Sequence, residues 1–223
     1  MNDTIGTKRL DRRRSWLAAT AIALALTGVF AACDDDDPTG PGGDEGEVEA
    51  FVIDDPSSAT PSVADRASFS SAAASAITGS VTGEARVDIS VDGSEWISLG
   101  SMSSIDVDLQ STDEESVHGE VDVPVGSYTR VRLVLDGADV EVLAGSDIGG
   151  ILLDIDATLS IGDGGQVIIE RAVQFDVSVG SEARIVFDLN SEQWITQSAV
   201  TTGQVSEASI DASVAAAAFV ATE

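Results

Sequence analysis

Between residues 84 and 91 apolar and polar positions alternate without a break: Ala85, Val87, Ile89 and Val91 against Glu84, Arg86, Asp88 and Ser90. A period of two sends successive side chains to opposite faces of an extended strand, one face for a core and one for water. The same phase recurs at 105–109, 129–135, 151–161, 173–179 and 183–189. Turn signals separate these runs: Asp92-Gly93, 124–126, Asp136-Gly137, 162–165 and Val179-Gly180. Several half-buried strands with short connections predict an all-β fold, two antiparallel sheets packed face to face as one β-sandwich over residues 48–223. Helical periodicity is confined to 66–77, within a Ser/Ala-rich insertion at 57–79, and fits either a short helix or a loop.

The hairpin at Asp92-Gly93 has two possible registers. A two-residue loop would set Ile89 opposite Trp96 and send Ile97 and Leu99 to the polar face. A three-residue loop through Ser94 sets Ile97 opposite Ile89 and Leu99 opposite Val87, keeping all four apolar side chains on one face. The longer loop is therefore expected, with Trp96 beside Ser90 on the outward face.

The segment ahead of the strands obeys a different rule. Lys8, Arg9, Arg12, Arg13 and Arg14 precede an uncharged apolar run at 16–30, then Ala31-Ala32 and the only cysteine, Cys33. That order is the layout of a secretory signal. It resembles bacterial lipoprotein precursors, and the resemblance implies cleavage before Cys33 with lipid on its sulfur, although Phe30 stands where such signals usually carry leucine. The alternative is an uncleaved membrane helix, for which the run is barely long enough. Arg13-Arg14-Ser15-Trp16-Leu17 also resembles the twin-arginine export pattern, which leaves the route open. After the 1–32 signal, residues 33–47 read as an acidic Gly/Pro tether, kept extended by charge repulsion. The chain is thus expected in the cell envelope, anchored in a membrane through Cys33 and either periplasmic or surface-exposed.

Charge narrows the partners. Past residue 32 there is no lysine, and six arginines against 37 acids leave a net charge of −31. Such a surface repels phosphate backbones, which excludes nucleic acid, and self-repulsion favours a monomer. With Cys33 acylated, no thiol remains for disulfides, thiolate metal sites or cysteine catalysis. His118 is the sole histidine, with no serine-centred motif around it, so neither a relay nor a zinc site can be built. No enzymatic role is expected; a glycoside hydrolase would need only two carboxylates, but also a cleft.

Three groups carry candidate chemistry. Arg130 and Arg132 project from one strand face about 7 Å apart. A hairpin through 124–126 would put Asp122 opposite Arg130 and Glu120 opposite Arg132, in ion pairs of a few tenths of a kcal/mol, at most about 1. Left unpaired, the two arginines would grip a carboxylate or sulfate on a glycan or envelope-protein partner. Trp96, with Trp194, would offer a sugar ring an aromatic platform. The pairs Asp106/Asp108 and Asp154/Asp156 read as solvated strand faces; a calcium ion there would need more oxygens from converging strands or loops. No other metal or cofactor is expected.

At 123–135 the chain reads Val-Pro-Val-Gly-Ser-Tyr-Thr-Arg-Val-Arg-Leu-Val-Leu. This resembles the bacterial envelope lipoproteins grouped as domain of unknown function number four thousand three hundred and eighty-two. The likeness rests on a Gly-x-Tyr-x-x-[Ile/Val]-Arg-Leu strand, here Gly126, Tyr128, Val131, Arg132 and Leu133. Supporting likenesses are the 49–56 strand with its Asp-x-Pro-like end, Trp96-Ile97-Ser98-Leu99, Val107-Asp108-Leu109 and Phe187-Asp188-Leu189. The insertion at 57–79 and the alanines at 215–218 depart from the pattern. The resemblance implies a transthyretin-like or immunoglobulin-like sandwich in a lipoprotein and brings no established activity.

Overall fold

A computed structural model describes residues 44–56 and 77–222, which belong to one unit, Gly40–Glu223. The signal segment, Cys33, residues 34–43 of the tether and all but the last residue of the 66–77 helix candidate lie outside the described residues. The strands of the first half are β1 (Glu45–Ile53), β2 (Gly79–Ser90), β3 (Ile97–Ser98), β4 (Ser103–Asp108), β5 (Glu115–Pro124) and β6 (Gly126–Val142). Then follow β7 (Asp147–Ile148), β8 (Ile151–Leu152), β9 (Ala157–Ile161), β10 (Val167–Val177) and β11 (Ser181–Asp188). Helix α1 (Gln197–Thr202), β12 (Gln204–Val205), helix α2 (Glu207–Ser213) and β13 (Ala215–Thr222) complete the chain.

Alternation builds two sheets. One has the order β13-β11-β1-β5; the other follows β12-β9-β6-β2-β3, with β10 also on β6 and β4 also on β2. Val48, Ala50, Ile185 and Phe187 of the first share one core with Val87, Ile89, Val131 and Leu133 of the second. Burying such a side chain is worth about 1.5–3 kcal/mol, so a one-residue slip of any strand would forfeit several of these at once. The molecule is an all-β sandwich, but not a purely antiparallel one. β1 runs parallel to β11, Ala50 opposite Ile185, and β12 runs parallel to β9.

The hairpin register holds. Ile97 lies opposite Ile89, and the Leu99 amide donates to the Val87 carbonyl at 3.0 Å. Elsewhere the pattern misled. Asp136-Gly137 does not turn the chain: β6 runs through it for 17 residues. Gly137 and Ala138 together oppose Gly83 in a bulge, with Gly137 at φ +55°. The extra residue flips the phase of β6, so that Val131, Leu133 and Leu135 before it and Ala138, Val140 and Val142 after it all face the core. Of the run at 151–161 only β9 is a core strand; Ile151, Leu152 and Ile155 are exposed. β1 takes in Glu45–Glu47, the last residues of the expected tether. The sequence pattern also missed α1 and α2, whose Thr196 and Ser206 caps accept the Ala199 and Ser209 amides.

Most consequential for the site, β5 and β6 do not form a hairpin. β5 pairs with β1, and the chain crosses at 124–126 to enter the other sheet as β6. Tyr128 fixes that corner: it is buried, stacks on Phe175 with ring centroids 5.4 Å apart, and donates its hydroxyl to the Pro124 carbonyl at 2.7 Å. Burial pushes its phenol above the ordinary value. A tyrosine hydroxyl bonded to backbone a few residues upstream is the device that locks immunoglobulin-type corners.

Candidate functional site

Because β5 lies in the opposite sheet, Asp122 faces Glu47 of β1, and the expected cross-strand pairs of Asp122 with Arg130 and Glu120 with Arg132 do not form. Arg132 reaches sideways instead. Its neighbour across β2 is Asp88, and its Nε donates to Asp88 Oδ2 at 2.6 Å. Asp88 is 1 % exposed and also receives Arg86, Nε to Oδ1 at 3.0 Å and Nη2 to Oδ2 at 3.3 Å. A buried carboxylate is stable only when its lone pairs are filled, and two guanidinium groups fill these. Arg86, Arg130 and Arg132, three of the five arginines among the described residues, thus share the outward face of the larger sheet. The sequence singled out the last two. Arg86-x-Asp88, two polar positions of the cleanest alternating strand, was the overlooked signal.

Trp96 is half-buried, and the Arg132 guanidinium lies over its ring, 4.4 Å from the centroid. One ring face is therefore taken by a protein cation, as the indole quadrupole favours. Trp194 contributes nothing to a platform. It is 1 % exposed and donates Nε1 to the Leu189 carbonyl at 2.8 Å, so the structure does not join the two tryptophans at one surface.

His118 lies within β5, opposite Ala50, and its Nε2 accepts the Val87 amide at 3.4 Å between the stretches of β2 covered by β4 and β3. An accepting Nε2 requires the neutral ring with its proton on Nδ1. Burial, opposed by Asp88 and reinforced by Arg86, holds its pKa below the ordinary 6.5. Between that value and the lowered one the unfolded chain binds more protons than the native one, so the stabilisation is complete above about pH 6.5 and is lost as pH falls through the native pKa. Urea melts from pH 7.5 to 5 should show the wild type and His118→Gln changing alike above about pH 6.5 and the wild type losing more stability below it.

The carboxylate pairs stay apart from this site. Asp106 and Asp108 are exposed on β4. Asp154 and Asp156 lie on no strand; Asp156 Oδ1 accepts the Ala144 amide at 2.8 Å in a bend. Among the described residues no three His, Cys, Asp or Glu side chains converge as a metal site, and no helix is long and apolar enough to cross a membrane.

Fold and site together define an all-β sandwich in which three of the five arginines among the described residues sit on one outer sheet face. The family described as Domain of unknown function (DUF4382) matches residues 67–206, and the chain belongs to it. No curated protein and no solved structure matches significantly. The matched stretch omits β1 and β13, although β1 stands between β11 and β5 in the four-stranded sheet. The complete sandwich of this chain therefore uses strands from both sides of the family segment.

Proposed function

We propose that the chain is a lipid-anchored, non-catalytic binding module of the cell envelope, held through Cys33 and presenting the Arg86–Asp88–Arg132 face to a partner. The observation that carries the binding role is the gathering of two scarce arginines, Arg86 and Arg132, on one buried carboxylate, with a third, Arg130, beside them on the same sheet face, in a chain dominated by acids. Like charges brought together repel, and folding gains nothing from the third that a neutral residue would not supply. The anchor rests on the order of basic segment, apolar run, small pair and Cys33. An anionic group on the partner fits this face better than a sugar ring stacked on Trp96, because Arg132 already covers that ring.

Expression of the full chain in a bacterial host tests the anchor. Mass spectrometry should find a chain that begins at an acylated Cys33 and sediments with membranes, and Cys33→Ser should leave that fraction. An intact Met1 or an underivatised Cys33 thiol in the wild type would refute the anchoring.

A further inference from the structure

Arg130 stands beside the Asp88 cluster and takes no part in it. Asp88 is occupied by Arg86 and Arg132, and Arg130 makes no hydrogen bond or ion pair with any described residue. Its neighbours across the strands are Ser90 and Ala172. Ser90 is itself engaged, donating to the Glu95 carbonyl and accepting the Gly93 amide at 2.9 Å. Its stem lies against Gly93. A Cβ at position 93 would stand 2.8 Å from Arg130 Cδ, and the φ of +86° there favours glycine, which leaves the stem room to lie along the loop. Among the described residues the other four arginines each pair with a carboxylate, and Arg130 pairs with none of the described ones.

Acids stand on the neighbouring strand and loop. Glu170 lies opposite Arg132 on β10, Asp176 opposite Ser127, and Asp92 and Glu95 belong to the loop that carries Gly93. Screening at physiological ionic strength sets in over about 8 Å, so an occupant feels nearby carboxylates such as Glu170, opposite Arg132, as well as the arginines. One negative charge is attracted; a second on the same ligand meets carboxylates.

Resting on the binding role proposed above, we infer that the Arg130 site takes one carboxylate carried on an uncharged body, such as a terminal sugar acid, and rejects polyanions. The planar fork of Arg130 matches a carboxylate two-pronged. Only Nε of Arg132 is held by Asp88, leaving its terminal nitrogens as a second set of donors, kept in place by the stack on Trp96. Sulfate shares this chemistry and serves as the competing source.

The test titrates the mature chain with galacturonate, its methyl ester, trigalacturonate and inorganic sulfate, read by tryptophan fluorescence and calorimetry. Trp96 is the responsive fluorophore, since Trp194 is buried. Galacturonate should saturate, the ester should not, the trimer should bind no tighter than the monomer, and Arg130→Gln should weaken galacturonate about tenfold at an unchanged melting temperature. A trimer at least about tenfold tighter, still dependent on Arg130, overturns the selectivity for single charge and leaves the binding face standing. Sulfate binding in place of galacturonate overturns the carboxylate assignment. Saturation by no anion, or binding indifferent to Arg130→Gln, removes the binding face itself.

Discussion

Asp54→Ala is expected to lower the urea midpoint by an amount equivalent to about 3 kcal/mol, with the slope of the transition unchanged. Asp54 is fully buried at the end of β1, and its carboxylate accepts the Gln110 amide at 2.7 Å, the Ser191 amide at 2.8 Å and the Ser191 hydroxyl. Both amides belong to strained corners. Gln110 has φ +57°, and Asn190, just before Ser191, has φ +49°. Left-handed backbone at a residue other than glycine costs roughly 1–3 kcal/mol and persists only where its surroundings enforce it. Removing the acceptor leaves three donors unpaired, the two backbone amides and the Ser191 hydroxyl, and loosens the clamp on both corners at once. Ser191→Ala deletes one donor and spares the acceptor, so a loss of about 1 kcal/mol is expected there. Equal losses from both variants would refute the clamp.

The clamp also shows what the sequence could and could not convey. Period-two alternation placed Ala85, Val87 and Ile89 in the core and, with turn length, set Ile97 opposite Ile89, because burial of one sheet face penalises every other register. Local signals failed where one residue pattern serves two geometries. An Asp-Gly pair marks a hairpin and also a bulge, since both need a glycine at positive φ, and Gly137 makes the bulge. Consecutive strands usually pair, so 124–126 read as a hairpin, but the chain changes sheets there and Tyr128 locks the change. The parallel pairing of β1 with β11 joins residues far apart in sequence, and no local pattern announces it.

The site was legible to the same degree. Arg130 and Arg132 stood out because cations are scarce, and the strand period put both on one face. Their partners were assigned by the false hairpin. The true partner of Arg132 is 44 residues away in sequence, on β2, and it becomes visible only once β6 is known to pair with β2. Trp194 illustrates the opposite error: an aromatic residue reads alike as platform or core, and burial with a satisfied indole nitrogen decides for core.

Asp88→Asn is expected to cost about 2 kcal/mol, less than the roughly 3–5 kcal/mol of breaking a fully buried pair, because the two guanidinium groups keep part of their hydration. Their side chains are 30 % and 21 % exposed against 1 % for the carboxylate. The substitution keeps shape and some hydrogen bonding but leaves Arg86 and Arg132 as facing like charges over a neutral amide. Apolar side chains of similar volume at all three positions behave differently, since no desolvated charge then remains. Arg86→Met, Asp88→Leu and Arg132→Met together should recover most of the lost stability in urea melts. That recovery would mean that folding does not require the charged cluster, and the triple variant should at the same time lose galacturonate binding. If the triple variant is instead less stable than Asp88→Asn, the cluster is a structural tie, and the scarce arginines have been placed to hold the sheet face together.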